Sequence, residues 1–208
     1  GGVDPRRVRG LTPLPAAQGE LEAMRAAVGA AQARLMVDVE LREDAVRALR
    51  WSDYRVVAFA PHGFLAAGSG APGQVLVLTP PGSRTPTDDG VLSSAEIRSF
   101  KFDADLVILS ACDTGATTEA VGASFADAFL AAGARSVVVS RWPLLSDTAA
   151  LLTLPLVREA AQRGSGHLAD AERDAILALL RDPPRPELRH PMFWAAFTVV
   201  GDFAGGPS

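Results

Sequence analysis

Short, unbroken apolar runs alternate along this chain with segments whose apolar residues return every three or four positions. The runs are "YRVVAFA" (54–60), "QVLVLTP" (74–80), "ADLVILSA" (104–111), "RSVVVS" (135–140) and "FWAAFTVVG" (193–201), with a shorter one near 34–39. Each reads as a strand. Because they are continuous runs of Val, Ile and Leu, they are expected to be buried on both faces, as in a parallel sheet covered by helices. Between them, Leu21, Met24 and Val28 fall on one face of a helix over 20–28 that Gly29 ends. Further helices are expected near 42–50, 119–133, 146–162 and 168–182, with Pro155 as a kink and Ser146 as a cap in the fourth of these five. Ser93 and Glu96 have the spacing of a capping box for a short helix reaching Phe100, and 79–90 is a loop by its Pro, Gly and Asp content.

This alternation predicts an α/β fold, a mostly parallel central sheet with helices on both sides. In such sheets the chemistry sits beyond the carboxyl ends of the strands. The run at 54–60 leads into "PHGF", the run at 104–111 into "CDTG", and the run at 135–140 into "RWP". A histidine (His62), the only cysteine (Cys112) and a Ser-Arg-Trp stretch (Ser140, Arg141, Trp142) thus leave the same sheet edge. A thiol becomes a strong nucleophile when a neighbouring imidazole takes or holds its proton. Gly63 leaves room for close approach, so the backbone N–H groups of Gly63 and Cys112 are candidates for an oxyanion site. Taken alone, a cysteine at a strand end is usually a small buried hydrophobe, and a histidine beside glycine a turn residue. The catalytic reading rests on both standing at strand ends, fifty residues apart, a separation also found in the caspase signature.

Composition narrows the field. The chain has 208 residues and a net charge of −4, so nothing electrostatic argues for nucleic acid or an anionic membrane as partner. A single cysteine excludes an internal disulfide and fits a reducing, cytoplasmic setting. No signal peptide or bilayer-length apolar run is visible. Lysine occurs once, at Lys101, among abundant Ala and Arg, which suggests a GC-rich bacterial source. Residues 1–10 read as a linker or a cloning remnant, and 11–204 as the domain. No Cys/His cluster has metal spacing, "GAPGQ" lacks a phosphate-loop lysine, and no cofactor is expected. His167 and His190 read as structural.

Taken in order, "LPAAQGELEAM" (14–24), "VVAFAPHG" (56–63), "DGVLSSAEI" (89–97), "ADLVILSACDTG" (104–115), "SRWPLLSDTAA" (140–150) and "HPMFWAAFTVVGD" (190–202) resemble the CHAT domain, a caspase-like family. The resemblance implies a fold like that of caspases and separase, and a Cys-His peptidase dyad matching Cys112 and His62. It also implies an upstream regulatory or repeat module and a protein or peptide as substrate. Caspase relatives pair substrate backbone with a stretch like 140–142, which makes Ser140, Arg141 and Trp142 candidate substrate-binding residues. By strand alternation Ser110 shares a side with Cys112 and is expected to lie beside the bound substrate residue. Since its hydroxyl is neutral, the pocket either takes an uncharged side chain or draws an acid from elsewhere, with Asp113 and Asp147 nearest in sequence. Two other readings remain open: a caspase-like pseudoenzyme that acts as an interaction module, and an α/β binding domain whose cysteine is merely buried.

Overall fold

The computed structural model describes residues 11, 14–66, 73–81, 88–110, 118–142, 144 and 146–201. Its centre is a four-stranded sheet of order β1-β5-β6-β7. The strands are β1 (Val56–Phe59), β5 (Leu106–Leu109), β6 (Ser136–Ser140) and β7 (Phe197–Gly201). The first three run parallel and β7 closes one edge antiparallel. The mixed α/β architecture, with a mostly parallel sheet between helical layers, is the one expected.

Alternation along each strand sends side chains to opposite faces. Val57, Phe59, Val107, Leu109, Val137 and Val139 pack on one face, against Phe125 and Phe129 of α4 (Thr118–Ala131) and the rings of Trp51 and Phe102. Leu106, Ile108 and Val138 pack on the other. There they meet Met24 of α1 (Pro15–Val28), Leu152 and Leu156 of α5 (Ser146–Arg163), and Ala175 and Leu179 of α6 (Leu168–Arg181). Helix α5 continues through Pro155. The helix α2 (Glu43–Arg47) and the single turn α3 (Ser94–Ile97) complete the Trp51 side. The Ser93–Glu96 capping box forms as its spacing predicts, the Glu96 amide donating to Ser93 Oγ at 3.2 Å and the Ser93 amide to Glu96 Oε2 at 2.7 Å.

Three strand expectations are revised. The run at 74–80 does not join the central sheet. As β3 (Gly73–Val77) it pairs antiparallel with β2 (Gly63–Ala66) and β4 (Val91–Ser93) in a separate three-stranded sheet. An apolar run reports burial on both faces, and Leu76 and Leu92 are fully buried beneath this small sheet, so the run alone does not tell the two sheets apart. The stretch near 34–39 forms no strand, and Asp38–Glu40 is a 3-10 turn. An apolar cavity of about 160 Å³ separates Ala33, Leu35 and Met36 from β1. Among the described residues no strand pairs with that edge of β1. The last strand begins at Phe197 and not near 193, because Pro191–Trp194 forms a short helix, α7.

Strand β5 is pinned at its start. Asp105, 4% exposed, accepts from Arg55 Nε at 2.7 Å and from Arg135 Nη1 at 2.7 Å, and its amide donates to the Arg55 carbonyl. One carboxylate therefore ties the entries of β1, β5 and β6 together. Removing Asp105 breaks both charge-assisted bonds at once, whereas removing Arg135 leaves the bond to Arg55 in place. Asp105→Ala is expected to lower stability by about 2 kcal/mol, read as a fall in the urea midpoint, while Arg135→Ala costs less than half as much.

Candidate active site at the carboxyl edge of the central sheet

The register of β1 and β5 decides what meets at this edge. Phe59 pairs with Leu109, and the Ser110 amide donates to the Phe59 carbonyl at 2.8 Å, extending the ladder by one bond. His62 stands three residues past Phe59, and Cys112 stands three residues past Leu109. His62 is half-buried, and its carbonyl accepts from the Val77 amide at 2.7 Å. The small sheet thus holds the histidine's backbone at the mouth of β1. Gly63 is buried and begins β2. Cys112 and Asp113 lie outside the described residues, as does the cysteine half of the candidate oxyanion site.

Strand β6 brings the third element to the same edge. Ser140 is buried, and its Oγ donates to the Trp142 carbonyl at 2.7 Å. The Arg141 amide donates to the Ala196 carbonyl at 2.6 Å, and its Nε to Thr198 Oγ1 at 2.6 Å. The half-buried Trp142 donates its indole N–H to the Met192 carbonyl at 2.7 Å and packs on the α5–α6 side of the core. This stretch is held by β7 and α7. Glu172 on α6 is pushed above the usual carboxylate range by burial, an effect that Arg141 opposes. His190 caps α7 through Nδ1, which accepts from the Met192 amide at 3.2 Å.

The residue that pattern reading missed is Glu20. Ser110 Oγ lies 3.1 and 3.0 Å from the two Glu20 carboxyl oxygens. Glu20 is on α1, one turn before Met24, and is 4% exposed. It also hydrogen-bonds Thr153 of α5, which is fully buried. Burial outweighs both hydroxyl partners and raises its pKa from 4.5 to about 7. The one signal available was a charged residue interrupting the apolar stripe of a helix. Asp147, one of the acids expected near this pocket, is exposed and pairs with Arg185 at 3.3 Å. Among the described residues no group of His, Cys, Asp and Glu could hold a metal ion, and no helix is long and apolar enough to cross a membrane.

The CHAT domain model matches residues 5–202, almost the whole chain. The chain belongs to the CHAT domain family. No curated protein matches it. CHAT domains are associated with caspase-like cysteine peptidases, so the edge that gathers His62, Ser110 and the 140–142 stretch is the candidate active site of this CHAT domain.

Glu20 also makes the stability of this CHAT domain depend on pH. Its folded pKa, about 7, exceeds its unfolded value of 4.5, so the folded state holds the extra proton. The stabilisation is complete below pH 4.5 and is lost as pH rises to about 7. Across that window the folded state holds a proton that the unfolded chain has lost, so stability falls with each rise in pH. Glu20→Gln, which cannot ionise, is expected to remove this component. Melting temperatures of both proteins at several pH values measure it.

Proposed function

We propose that this CHAT domain is a cysteine endopeptidase, with Cys112 as nucleophile and His62 as general base and acid. The observation that carries the reading is the Phe59–Leu109 register of two adjacent parallel strands, a pair that His62 and Cys112 each follow by three residues in sequence. In this reading the Cys112 thiol passes its proton to His62, and the sulfur attacks the substrate's carbonyl carbon. The N–H groups of Gly63 and Cys112 stabilise the resulting oxyanion. His62 then protonates the departing amine, leaving a thioester. Water, deprotonated by His62, attacks the thioester and releases the new carboxylate and the free thiol.

The substrate is a protein or peptide bound in extended form along Ser140, Arg141 and Trp142, with the indole as a wall of a side-chain pocket. Ser110 and Asp113 line the site of the cleaved residue. An upstream module or partner regulates the enzyme, and the unpaired cysteine suits the cytoplasm. No cofactor enters these steps.

Cys112→Ala is expected to reduce cleavage of a peptide library to below about a thousandth and to abolish labelling by a thiol-reactive peptidyl probe, with unchanged circular dichroism. His62→Ala is expected to cost about a hundredfold or more. Wild-type cleavage by the Cys112→Ala variant would sink the assignment. Trp142→Ala is expected to raise KM about fivefold with kcat within about twofold. A lowered melting temperature with unaltered kinetics would instead make Trp142 a purely packing residue.

A further inference from the structure

Glu20 has an unusual setting for a carboxyl group. No charged side chain is among the groups that shift its protonation, which are the surrounding burial and the hydroxyls of Ser110 and Thr153. On α1 its neighbours one turn away are Ala16, Ala23 and Met24, and on α5 those of Thr153 are Ala149, Leu156 and Val157. A carboxyl buried in such company is expected to serve the two groups it touches, or to be replaced by an apolar residue.

Counting hydrogens shows which form of the acid fits. A hydroxyl has one proton to donate. Thr153 Oγ1 lies 3.1 Å from the Ala149 carbonyl, the back-bond along a helix that threonine commonly makes, and donates its proton there. Its remaining role toward Glu20 is to accept, and only a protonated carboxyl can donate to it. The neutral acid satisfies every partner: Ser110 donates to one Glu20 oxygen, Glu20 donates to Thr153, and Thr153 donates to Ala149. When Glu20 ionises, the Thr153 hydroxyl must turn away from Ala149 to meet the carboxylate.

Ser110 comes directly after β5, and Cys112 is two residues further on. Two peptide units cannot separate their Cα atoms by more than about 7 Å. A change at Glu20 is therefore a change at the residue from which the chain runs on to Cys112.

We propose that Glu20 is a positioning residue for Cys112: as the neutral acid it ties Ser110, at the mouth of β5, to Thr153 on α5, and so fixes the residue two before the cysteine. Ionised, it places an unpaired negative charge near Cys112 and opposes formation of the thiolate. The protonated enzyme is the better-ordered form. The inference rests on the peptidase reading above.

Because the chain has a single cysteine, alkylation by iodoacetamide reports on Cys112 alone. The rate is followed from pH 5.5 to 9 in the full chain and in Glu20→Gln, Ser110→Ala and His62→Ala, with melting temperature as a check on folding. Glu20→Gln imitates the neutral acid. It is expected to match wild type near pH 6 and to label about three- to tenfold faster than wild type above pH 8, where wild-type Glu20 is charged. Ser110→Ala, which breaks the link and keeps the fold, is expected to label about tenfold more slowly near pH 6, with the difference narrowing above pH 8. If Glu20→Gln does not fold, Ser110→Ala carries the test. Fast, His62-dependent labelling with superimposable profiles for wild type, Glu20→Gln and Ser110→Ala would overturn the role of Glu20 and leave the peptidase reading standing. Slow wild-type labelling that His62→Ala does not change would overturn both.

Discussion

The burial of β5 on both faces is the constraint on which the rest depends. Leu106, Val107 and Ile108 are fully buried, and Leu109 nearly so. A strand in that position has hydrogen-bonding partners on both edges and side-chain layers above and below. A slip of one residue against β1 would exchange its two faces and put every side chain in the wrong layer. That penalty holds the Phe59–Leu109 pair in place, and with it the alignment of the two segments that leave these strands, one toward His62 and the other toward Cys112. The helices α1 and α5 cover one face because Leu106 and Ile108 require cover, and in covering it they bring Glu20 and Thr153 to Ser110.

Against this apolar background Glu20 is costly. A buried carboxyl without a cation loses its hydration, a loss that its two hydroxyl partners only partly offset, so the proton stays on at pH values where an exposed glutamate would have lost it. Asp105, at the other end of the same strand, shows the opposite solution. It is as buried as Glu20, but two guanidinium groups meet it and compensate its charge. One acid is kept ionised by opposite charge, the other is kept neutral by burial and bonded to hydroxyls.

Much of the architecture was legible because unbroken apolar runs and helical periodicity report burial directly. Strands β1, β5 and β6 and helices α4, α5 and α6 lie within a few residues of their expected places. The shared carboxyl edge is a consequence of three parallel strands, and His62, Ser110 and the 140–142 stretch emerge on it. Where reading failed, the reason is physical. The run at 74–80 is apolar because a small sheet covers a core as thoroughly as a large one. Strand β2, "GFLA", is too short and too close to glycine to announce itself. The stretch at 34–39 has the side chains of a strand, but among the described residues no strand pairs with it, and a strand is defined by the partner. Glu20 was missed because periodicity assigns a glutamate to solvent by default, and only the packing of α1 on α5 reveals the contrary.

The Asp105 clamp gives β5 two ends with different duties. The fold is anchored where Arg55 and Arg135 converge, and the residues read as chemical lie a strand's length away. Substitutions at the far edge therefore meet a separate limit of tolerance: they can alter what the edge accepts without loosening the clamp that keeps the strands aligned. A domain arranged in this way can diversify its recognition while its scaffold stays the same, and the arginine end is the place where a search for variants should leave the sequence alone.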